Sequence, residues 1–446
     1  MDITVLTQYG GKILGPIAKW VLGPILNGIF VVLDWIHLPN VGVAIILFTI
    51  AVYLLLLPLT IKQQKFSKLQ AKMQPELQAI QNKYKGKKDQ ESQMAMNQET
   101  QAVYAKYGVS PMGSCLQLLI QMPILFALYR VIYSIPAYVT KIGKTFGVLA
   151  AKIISTDNAA FLRSTEISGI AKAVAQFSKN LDKNLSNGIV DVLNTLSSSD
   201  METISSHYGL ADLTYEGHRI FSGVSAAGDK VRGLLDQFNS FLGINIINSP
   251  SYTIKTAFES KAFLLMIGAI LIPVLAAVTQ WISVKLAPSP SSSNNGNDSM
   301  QSSMKAMNVF MPIFSAVICF TLPVGLGIYW IAGAVVRSIE QILINKHIDK
   351  IDLEAEIKKN VEKRNAKLRK AGIDPDKLMR NASISTKAMA VQNSSNASLS
   401  AADSEKRKEE MRKATEYYNK KNGESAGSIA AKANMVKQYN EKNNEK

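Results

Sequence analysis

The chain has 446 residues, of which 47% are hydrophobic, and it carries 50 Lys and Arg against 34 Asp and Glu, a formal charge of +16. The apolar content excludes a wholly disordered chain. Its two cysteines, Cys115 and Cys319, both lie in apolar runs, which excludes a disulfide-stapled scaffold. A uniformly soluble protein this basic is seldom this apolar, so the composition predicts very apolar stretches alternating with charged ones.

The N-terminal segment, 1–40, contains an apolar stretch at 13–33 that is interrupted by Lys19 and by two Gly-Pro pairs. Trp and Lys favour the membrane–water interface, and prolines disturb a helix. These features favour an amphipathic helix lying in the interface, with an extra membrane span as the open alternative. A cleaved signal peptide is disfavoured, because no short apolar core precedes a small-residue cleavage site.

Runs of about 18 or more apolar residues predict transmembrane helices. Three such runs are separate along the chain. A fourth, 304–344, is too long for one helix and divides at the Pro/Gly turn 321–325. The sequence therefore predicts an all-α polytopic membrane protein with five core spans, at 41–61, 111–140, 258–287, 304–322 and 323–345.

The first core span is followed by 62–110, a Lys- and Gln-rich segment at helical spacing. It predicts a helical hairpin with helices at 62–84 and 89–107. Leu69, Met73, Leu77 and Ile80 lie near one stripe, which favours a face that meets lipid or a partner over a plainly solvated hairpin.

Three further segments lie between or after the spans. The segment 141–257 has helical spacing and predicts a helical insert, while 288–303 is rich in Ser, Asn and Pro and predicts a flexible loop. The tail, 346–446, begins as a helix and then has the composition of a largely disordered, basic extension.

Charge predicts the orientation of these segments. The hairpin segment 62–110 has nine Lys and four acidic residues, and the tail from 345 onward has 23 basic and 15 acidic residues, whereas 141–257 is nearly neutral, with eleven basic and ten acidic. Because cytoplasmic loops are enriched in Lys and Arg, the hairpin and the tail are predicted to be cytoplasmic and 141–257 extracytoplasmic.

No sequence motif predicts an enzyme. Lys144-Thr145 resembles the end of a phosphate-binding loop, but its first glycine is missing, since that position is Tyr138. The four histidines lie in different regions without metal-ligand spacing. We therefore expect no enzymatic activity, no metal and no cofactor.

Arg130 is the informative charge in the second predicted span, because an Arg in hydrocarbon costs roughly 2.5–3.5 kcal/mol on insertion scales. Its distance from Pro111 places it nearer the outer end of that span. Snorkelling to the outer interface is one interpretation, and a cation in a hydrated pocket is the favoured one. Gln117 and Gln121 share a helix face that Arg130 joins only if Pro123 kinks the helix.

In the first core span, Thr49 and Tyr53 share a face at i, i+4. Their hydroxyls fit either the same hydrated pocket or ordinary hydrogen bonds between helices. The two interpretations are equally favoured by the residues alone.

Three stretches resemble the YidC/Oxa/Alb family of membrane protein insertases, in the bacterial form without the large periplasmic domain. They are FTIAVYLLLLPLTIKQQK at 48–65, YAKYGVSPMGSCLQLLIQMPILFALYRVIY at 104–133, and PVGLGIYW at 323–330. The five-span spacing with a Lys-rich hairpin after the first span also matches.

This resemblance implies five helices around a hydrophilic groove that opens to the cytoplasm and to lipid. It implies insertion and chaperoning of nascent membrane proteins without nucleotide hydrolysis, alone or beside the Sec translocon, in the bacterial cell membrane. The basic tail suggests the ribosome as a further partner, and no DNA partner is expected.

One departure from the family concerns the groove. Relatives commonly have an Arg four residues after the Thr of the first core span, where this chain has Tyr53 after Thr49. We hypothesise that Arg130 supplies the missing cation, with Gln117 and Gln121 in the same groove. Tyr329 and Trp330 match groove-facing, substrate-contacting positions of the family, and bundle packing is their alternative role.

A channel or secondary transporter is the rival function. Transporters of that kind show inverted repeats and several charges near the midplane. The sequence shows no such repeat, and Arg130 is the charge that the spans present most clearly.

Overall fold

The computed structural model describes residues 14–87, 89–109, 123–124, 126–224, 228–286, 299–350 and 352–370. The first part of the second predicted span, 111–122 with Gln117 and Gln121, lies outside the described residues, as do 288–298 of the predicted loop and the tail beyond 370. Within the described ranges the fold is helical apart from three short β-hairpins.

The helices before the insert are α1 (Leu14–Trp35), α2 (Val41–Lys83), α3 (Gln90–Lys106), α4 (126–133) and α5 (Ile135–Tyr138). The insert contains α6 (Thr140–Asp157), α7 (Ala160–Ser164), α8 (Ser168–Lys183), α9 (Leu185–Thr195), α10 (Ser198–Tyr208), β1 (Thr214–Tyr215), β2 (His218–Arg219), β3 (Gly223–Val224), β4 (Lys230–Val231), α11 (Leu234–Asn239), β5 (Ser240–Phe241), β6 (Ile244–Asn245) and α12 (Pro250–Glu259). The remaining helices are α13 (Phe263–Leu286), α14 (Ser299–Thr321), α15 (Val324–Ile348) and α16 (Leu353–Lys370).

Four of the described helices are long and apolar enough to cross a membrane: α1, α2, α13 and α15. Together they confirm an all-α polytopic membrane protein. The fourth predicted span corresponds to a shorter apolar stretch, Val309–Thr321, at the end of α14. The length of α1 is compatible with the extra span, and its placement in the interface stays a prediction.

A π-helical turn, Ala18–Leu22, interrupts α1 immediately before a Gly-Pro pair. Pro24 has no backbone N–H to donate to the preceding turn. The N–H of Gly23 donates to the carbonyl of Ala18, five residues back. This hydrogen bond is the i→i+5 pattern of a π-helix, whose turn contains one more residue than an α-helical turn. The Gly-Pro pair thus distorts α1 without ending it.

The first core span and the first hairpin helix form one continuous helix, α2. The predicted boundary at residue 61 lies where the composition changes from apolar to Lys-rich. Lys and Gln are good helix formers, so the helix continues past residue 61. What changes there is the polarity of its side chains. Leu69, Met73 and Leu77 are buried, so the chain itself covers most of the predicted stripe.

The described residues fall into two compact units. The larger comprises Met1–Gln78 and Tyr104–Glu362. In it Glu76 Oε1 accepts hydrogen bonds from Lys106 Nζ and the Tyr107 hydroxyl, each at 2.8 Å, which joins the end of α3 to α2.

Among the described residues, the smaller unit comprises Ala79–Val103 and 363–370. It contains the turn of the hairpin. There Lys83 pairs with Glu99, whose Oε1 also accepts from the Tyr84 hydroxyl at 3.0 Å. These contacts join the end of α2 to α3 within this unit.

Buried apolar side chains of the insert continue the hydrophobic core of the bundle helices, and Phe238 packs edge-on against Phe30 of α1 with ring centroids 5.6 Å apart. Fully buried side chains come from α6, α7, α8, α9 and α11 (Phe146, Leu149, Ile153, Leu162, Ile170, Ile189, Phe238). Tyr208 anchors α10 to this core, because its hydroxyl donates to Asp157 Oδ2 at 3.1 Å and accepts from the Leu162 N–H. The described part of 141–257 consists of helices and three short β-hairpins, and its assignment as an extracytoplasmic insert stays a prediction.

Polar contacts hold the insert to the adjoining ends of α1 and α2. Lys141 Nζ lies 2.7 Å and 2.8 Å from the two carboxylate oxygens of Asp34 on α1. Asn40 donates through Nδ2 to the Ser240 carbonyl at 2.8 Å. Phe241 lies so close to Gly42 of α2 that a Cβ at residue 42 would come within 2.6 Å of its ring. The β5–β6 hairpin is therefore packed into the bundle.

Asp191 generates a test of the insert's stability. It is buried on α9, where its Oδ2 accepts from Asn180 Nδ2 at 2.8 Å, and burial raises the pKa of its carboxyl from 3.8 to about 6. A carboxyl whose pKa is raised by folding destabilises the fold as pH rises through the window between those values. We expect Asp191→Asn to raise the free energy of unfolding at pH 7 by up to about 3 kcal/mol and to flatten its pH dependence between the two values.

Thermal unfolding of the purified protein in detergent at pH 4 and pH 7 measures this effect. Asp182→Asn is the control, because Asp182 is exposed and pairs with Arg163 at the surface. A larger gain in stability at pH 4 than at pH 7 contradicts the assignment to Asp191.

Candidate functional site

Polar side chains from three bundle helices meet around one guanidinium. Arg337 of α15 donates through Nη1 to the Tyr53 hydroxyl of α2, and through Nη2 to Gln280 Oε1 of α13 at 3.2 Å. The guanidinium also lies 5.7 Å from the centre of the Tyr53 ring, which is cation–π geometry. We call Arg337, Tyr53 and Gln280 the polar cluster.

The local sequence of α15 makes room for this cluster. Gly333 lies one turn before Arg337, and a Cβ there would approach the Tyr53 hydroxyl to 3.3 Å and Arg337 Nη1 to 3.4 Å. Tyr329, one turn earlier still, is buried, and it interacts with both Tyr53 and Arg337. Residues 329, 333 and 337 thus form a single face of α15 turned toward α2.

A second polar contact continues along the same two helices. Gln64 Nε2 donates to Gln341 Oε1 at 2.6 Å, and Gln341 Nε2 donates back to Gln64 Oε1 at 3.0 Å. Gln341 Nε2 also lies 3.4 Å from Asn345 Oδ1. Polar side chains therefore extend from the polar cluster toward the C-terminal end of α15.

The structure places the predicted residues of α2 and α15 as follows. Tyr53 and Tyr329 come together with Arg337, as described above. Thr49 is fully buried, and its hydroxyl donates to the Ile45 carbonyl of its own helix at 2.6 Å. Trp330 is half-buried.

Arg130 lies on α4, where it is half-buried. One turn later, Tyr133 contacts the insert: its hydroxyl accepts from Gln176 Nε2 at 3.3 Å and its carbonyl accepts from Asn194 Nδ2 at 3.0 Å. Arg130 is therefore near the end of the second span that joins the insert. Its role in a groove with Gln117 and Gln121 stays a prediction, because both glutamines lie outside the described residues.

Sequence reasoning missed Arg337, Gln280 and Glu340. Arg337 and Glu340 lie inside the predicted span 323–345, and an ionisable residue in a span indicates a functional site by default. A charge inside a predicted span is the same signal that marks Arg130, and it points to both residues. The contact with Tyr53 is a tertiary one that no spacing reveals.

A comparison with known families decides the assignment. The family model described as 60Kd inner membrane protein matches residues 32–201 and 231–351, which include Tyr53, Arg130 and Arg337. The chain belongs to this family. The resemblance to membrane protein insertases is thereby confirmed, and with it a multi-pass membrane protein.

Several relatives carry insertase names. Membrane protein insertase YidC of Oceanobacillus iheyensis is 26% identical over 305 residues, which is 68% of this chain and 74% of that protein. Membrane protein insertase MisCA of Bacillus subtilis is 48% identical over 93 residues, or 21% of this chain and 35% of the relative. The latter match thus spans about a third of the MisCA length.

Water access to the polar cluster of this family member is testable. With Cys115 and Cys319 replaced by Ser, we expect a cysteine at Gln280 to react with a membrane-impermeant maleimide roughly tenfold faster than one at Val278, because the reactive thiolate forms poorly in hydrocarbon. Val278 is the matched control, since it lies on the same helix and its side chain is exposed on the bundle surface. Equal labelling rates in proteoliposomes would show that the polar cluster is dry.

Proposed function

We propose that the chain is a membrane protein insertase and chaperone that works without nucleotide hydrolysis, alone or with the Sec translocon. The observation that carries the proposal is the polar cluster within a bundle of membrane-spanning length, in a chain whose relatives bear insertase names. Nascent membrane proteins are its clients, and the bilayer is the phase into which it releases them.

The mechanism follows from the cost of moving polar groups through hydrocarbon. Polar groups without hydrogen-bond partners cannot readily enter a hydrocarbon core about 30 Å thick. The polar cluster and the Gln64–Gln341 pair offer partners part of the way across. The client's apolar segment then moves into lipid, and its burial drives the step at about 25 cal/mol per Å².

Arg337 is the cation that we assign to the hydrophilic groove that the family resemblance implies. It lies over the ring of Tyr53, the position where the family commonly has an Arg, so the charge absent from α2 is supplied from α15. Thr49, Gln117, Gln121 and Trp330 remain proposed groove residues. Arg130 remains a proposed second cation nearer the insert.

We further propose that the hairpin 62–110 and the C-terminus are cytoplasmic, and that the insert 141–257 is extracytoplasmic, in a bacterial cell membrane. The positive charge of the hairpin and tail supports this orientation. In that orientation the polar contacts from Arg337 to Asn345 run toward the cytoplasm, as a groove receiving clients from the cytoplasm requires.

Reconstitution into liposomes with a small single-span client tests the function. We expect Arg337→Ala to lower protease-protected insertion of a client with an acidic translocated tail by about tenfold, the size of one charge-assisted hydrogen bond, and to affect a neutral tail less. Tyr53→Arg in the Arg337→Ala background is expected to restore insertion, because it returns a guanidinium to the same place.

Two further variants complete that test. Arg163→Ala removes an exposed Arg of the insert and is expected to leave insertion unchanged. Arg130→Ala is expected to lower insertion if Arg130 is the second cation. Ion flux without insertion would favour a channel instead, and unchanged insertion in Arg337→Ala would remove Arg337 from the mechanism.

We also propose that the basic tail, 346–446, binds ribosomal RNA. Its excess of Lys and Arg supports binding to phosphates, which weakens with salt because counterions are released. Ribosomes are expected to co-sediment with the full chain at low salt, and less so with rising salt or without 346–446. Undiminished co-sedimentation after truncation contradicts this role.

A further inference from the structure

An apolar groove runs along α2, α13 and α15, beside the polar cluster. Its volume is about 790 Å³, and its walls include Ile50, Leu54, Leu271, Val335 and Ile339, all with exposed side chains. We call it the apolar groove. Since these five side chains are exposed, the groove is open to the surroundings of the bundle.

The length of the groove matches the thickness of a bilayer. On α15 its lining begins at Val324 and ends at His347. At the usual helical rise, these 23 steps span about 35 Å, slightly more than the hydrocarbon core. The apolar groove therefore has the length of a membrane-spanning segment.

The β5–β6 hairpin closes one end of the groove. Phe241, Leu242 and Ile244 line it there. Leu242 has a φ of +50°, unusual for a branched apolar side chain, and its side chain is 86% exposed. A two-residue turn usually has Asn, Asp or Gly at that position. Leu242 thus places an apolar tip at the insert end of the groove.

Glu340 provides a polar feature near the other end. It lines the groove at 6% exposure, and its Oε1 has no hydrogen-bond partner among the described residues. Arg337 lies three residues earlier on the same helix but donates to Tyr53 and Gln280. A buried carboxylate oxygen left in this state costs free energy unless a donor reaches it.

We infer that the apolar groove holds a membrane-spanning helix whose cytoplasmic flank carries Lys or Arg, and that Glu340 accepts from that flank. Spanning helices carry their excess of Lys and Arg on the cytoplasmic side, which is the side of Glu340 in the proposed orientation. The groove supplies apolar contact along the helix, and Glu340 supplies the matching charge at its end. This inference rests on the proposed function and orientation.

Charge complementarity distinguishes this occupant from lipid chains alone. Apolar contacts accept any hydrocarbon, whereas a carboxylate at one end favours a segment with a cationic end. A helix docked with its basic flank at Glu340 has the orientation that the positive-inside rule describes. The apolar groove therefore selects clients by the orientation of their charge.

Photo-cross-linking in proteoliposomes tests the inference. A photoreactive side chain replaces Val335 in the groove or, as the matched control, Val309 of α14, which is exposed and does not line the groove. The probes are two purified single-span helices that differ only in flank, two Lys or two Gln. Protease-protected insertion of a nascent client is measured in the same preparation.

We expect cross-linking from residue 335 to the Lys-flanked helix to exceed that to the Gln-flanked helix about tenfold, and Glu340→Gln to remove the difference, as expected for one charge-assisted hydrogen bond. Residue 309 is expected to show no flank preference. The comparison of flanks in the unmodified Glu340 protein keeps the test valid even if the variant misfolds.

Three outcomes overturn the inference. They are equal cross-linking of both flanks from residue 335, a flank preference that persists in Glu340→Gln, and cross-linking of a photoreactive phosphatidylethanolamine in place of either helix. If insertion proceeds normally alongside any of them, the proposed function stands and the apolar groove is not its client site. If insertion fails while the flank preference holds, the groove stands and the proposed function fails.

Discussion

The structure depends on how one guanidinium is held within a bundle of membrane-spanning helices. Arg337 would be costly in hydrocarbon, and it is stabilised by the Tyr53 hydroxyl, the Tyr53 ring and Gln280. Because these partners lie on different helices, satisfying the charge also fixes the positions of α2, α13 and α15. Gly333 completes the arrangement, since a larger side chain would come into tight contact with both Tyr53 and Arg337. The contacts that stabilise the Arg337 charge inside the bundle therefore also fix how the three helices pack.

Two neighbouring faces of α15 meet different surroundings as a result. Arg337 turns toward the polar cluster, whereas Glu340, three residues later, lines an apolar groove. A salt bridge between them would cancel both charges within one helix turn. Arg337 donates instead to Tyr53 and Gln280, and it acts on Glu340 through space. In the proposed mechanism, this span offers a cation to acidic polypeptide and an acceptor to basic flanks.

The sequence predicted the features that depend on composition and on hydrophobic periodicity. It did not predict the features that depend on tertiary contacts between side chains. Long apolar runs predicted the membrane-spanning helices that correspond to α2, α13 and α15. The hairpin, inferred from helical spacing and a basic composition, stays a prediction. The boundary at residue 61 marks a change of surroundings within a continuous helix, because Lys and Gln continue a helix as well as Leu does. Arg337 was not predicted as a site residue because it lies in the second half of an apolar run. Its hydrogen bond to Tyr53 joins residues that are 284 positions apart in the sequence. The β-hairpins of the insert are two residues per strand, too short for an alternating pattern to be recognised.

The two ends of the bundle are closed by different kinds of bond. At the insert, the N–H of Val324 bonds to the Asn248 carbonyl and the N–H of Gly325 bonds to the Ile246 carbonyl, both at 2.9 Å, so the first turn of α15 is fixed by backbone. Toward the other end, α2 and α15 are joined by the side-chain amides of Gln64 and Gln341. Water can replace a side-chain amide partner at little cost, whereas the start of a helix buried against a hairpin has no such substitute. The bonding therefore favours hydration from the Gln64 end and closure at the insert end, an asymmetry that a one-sided polar groove requires.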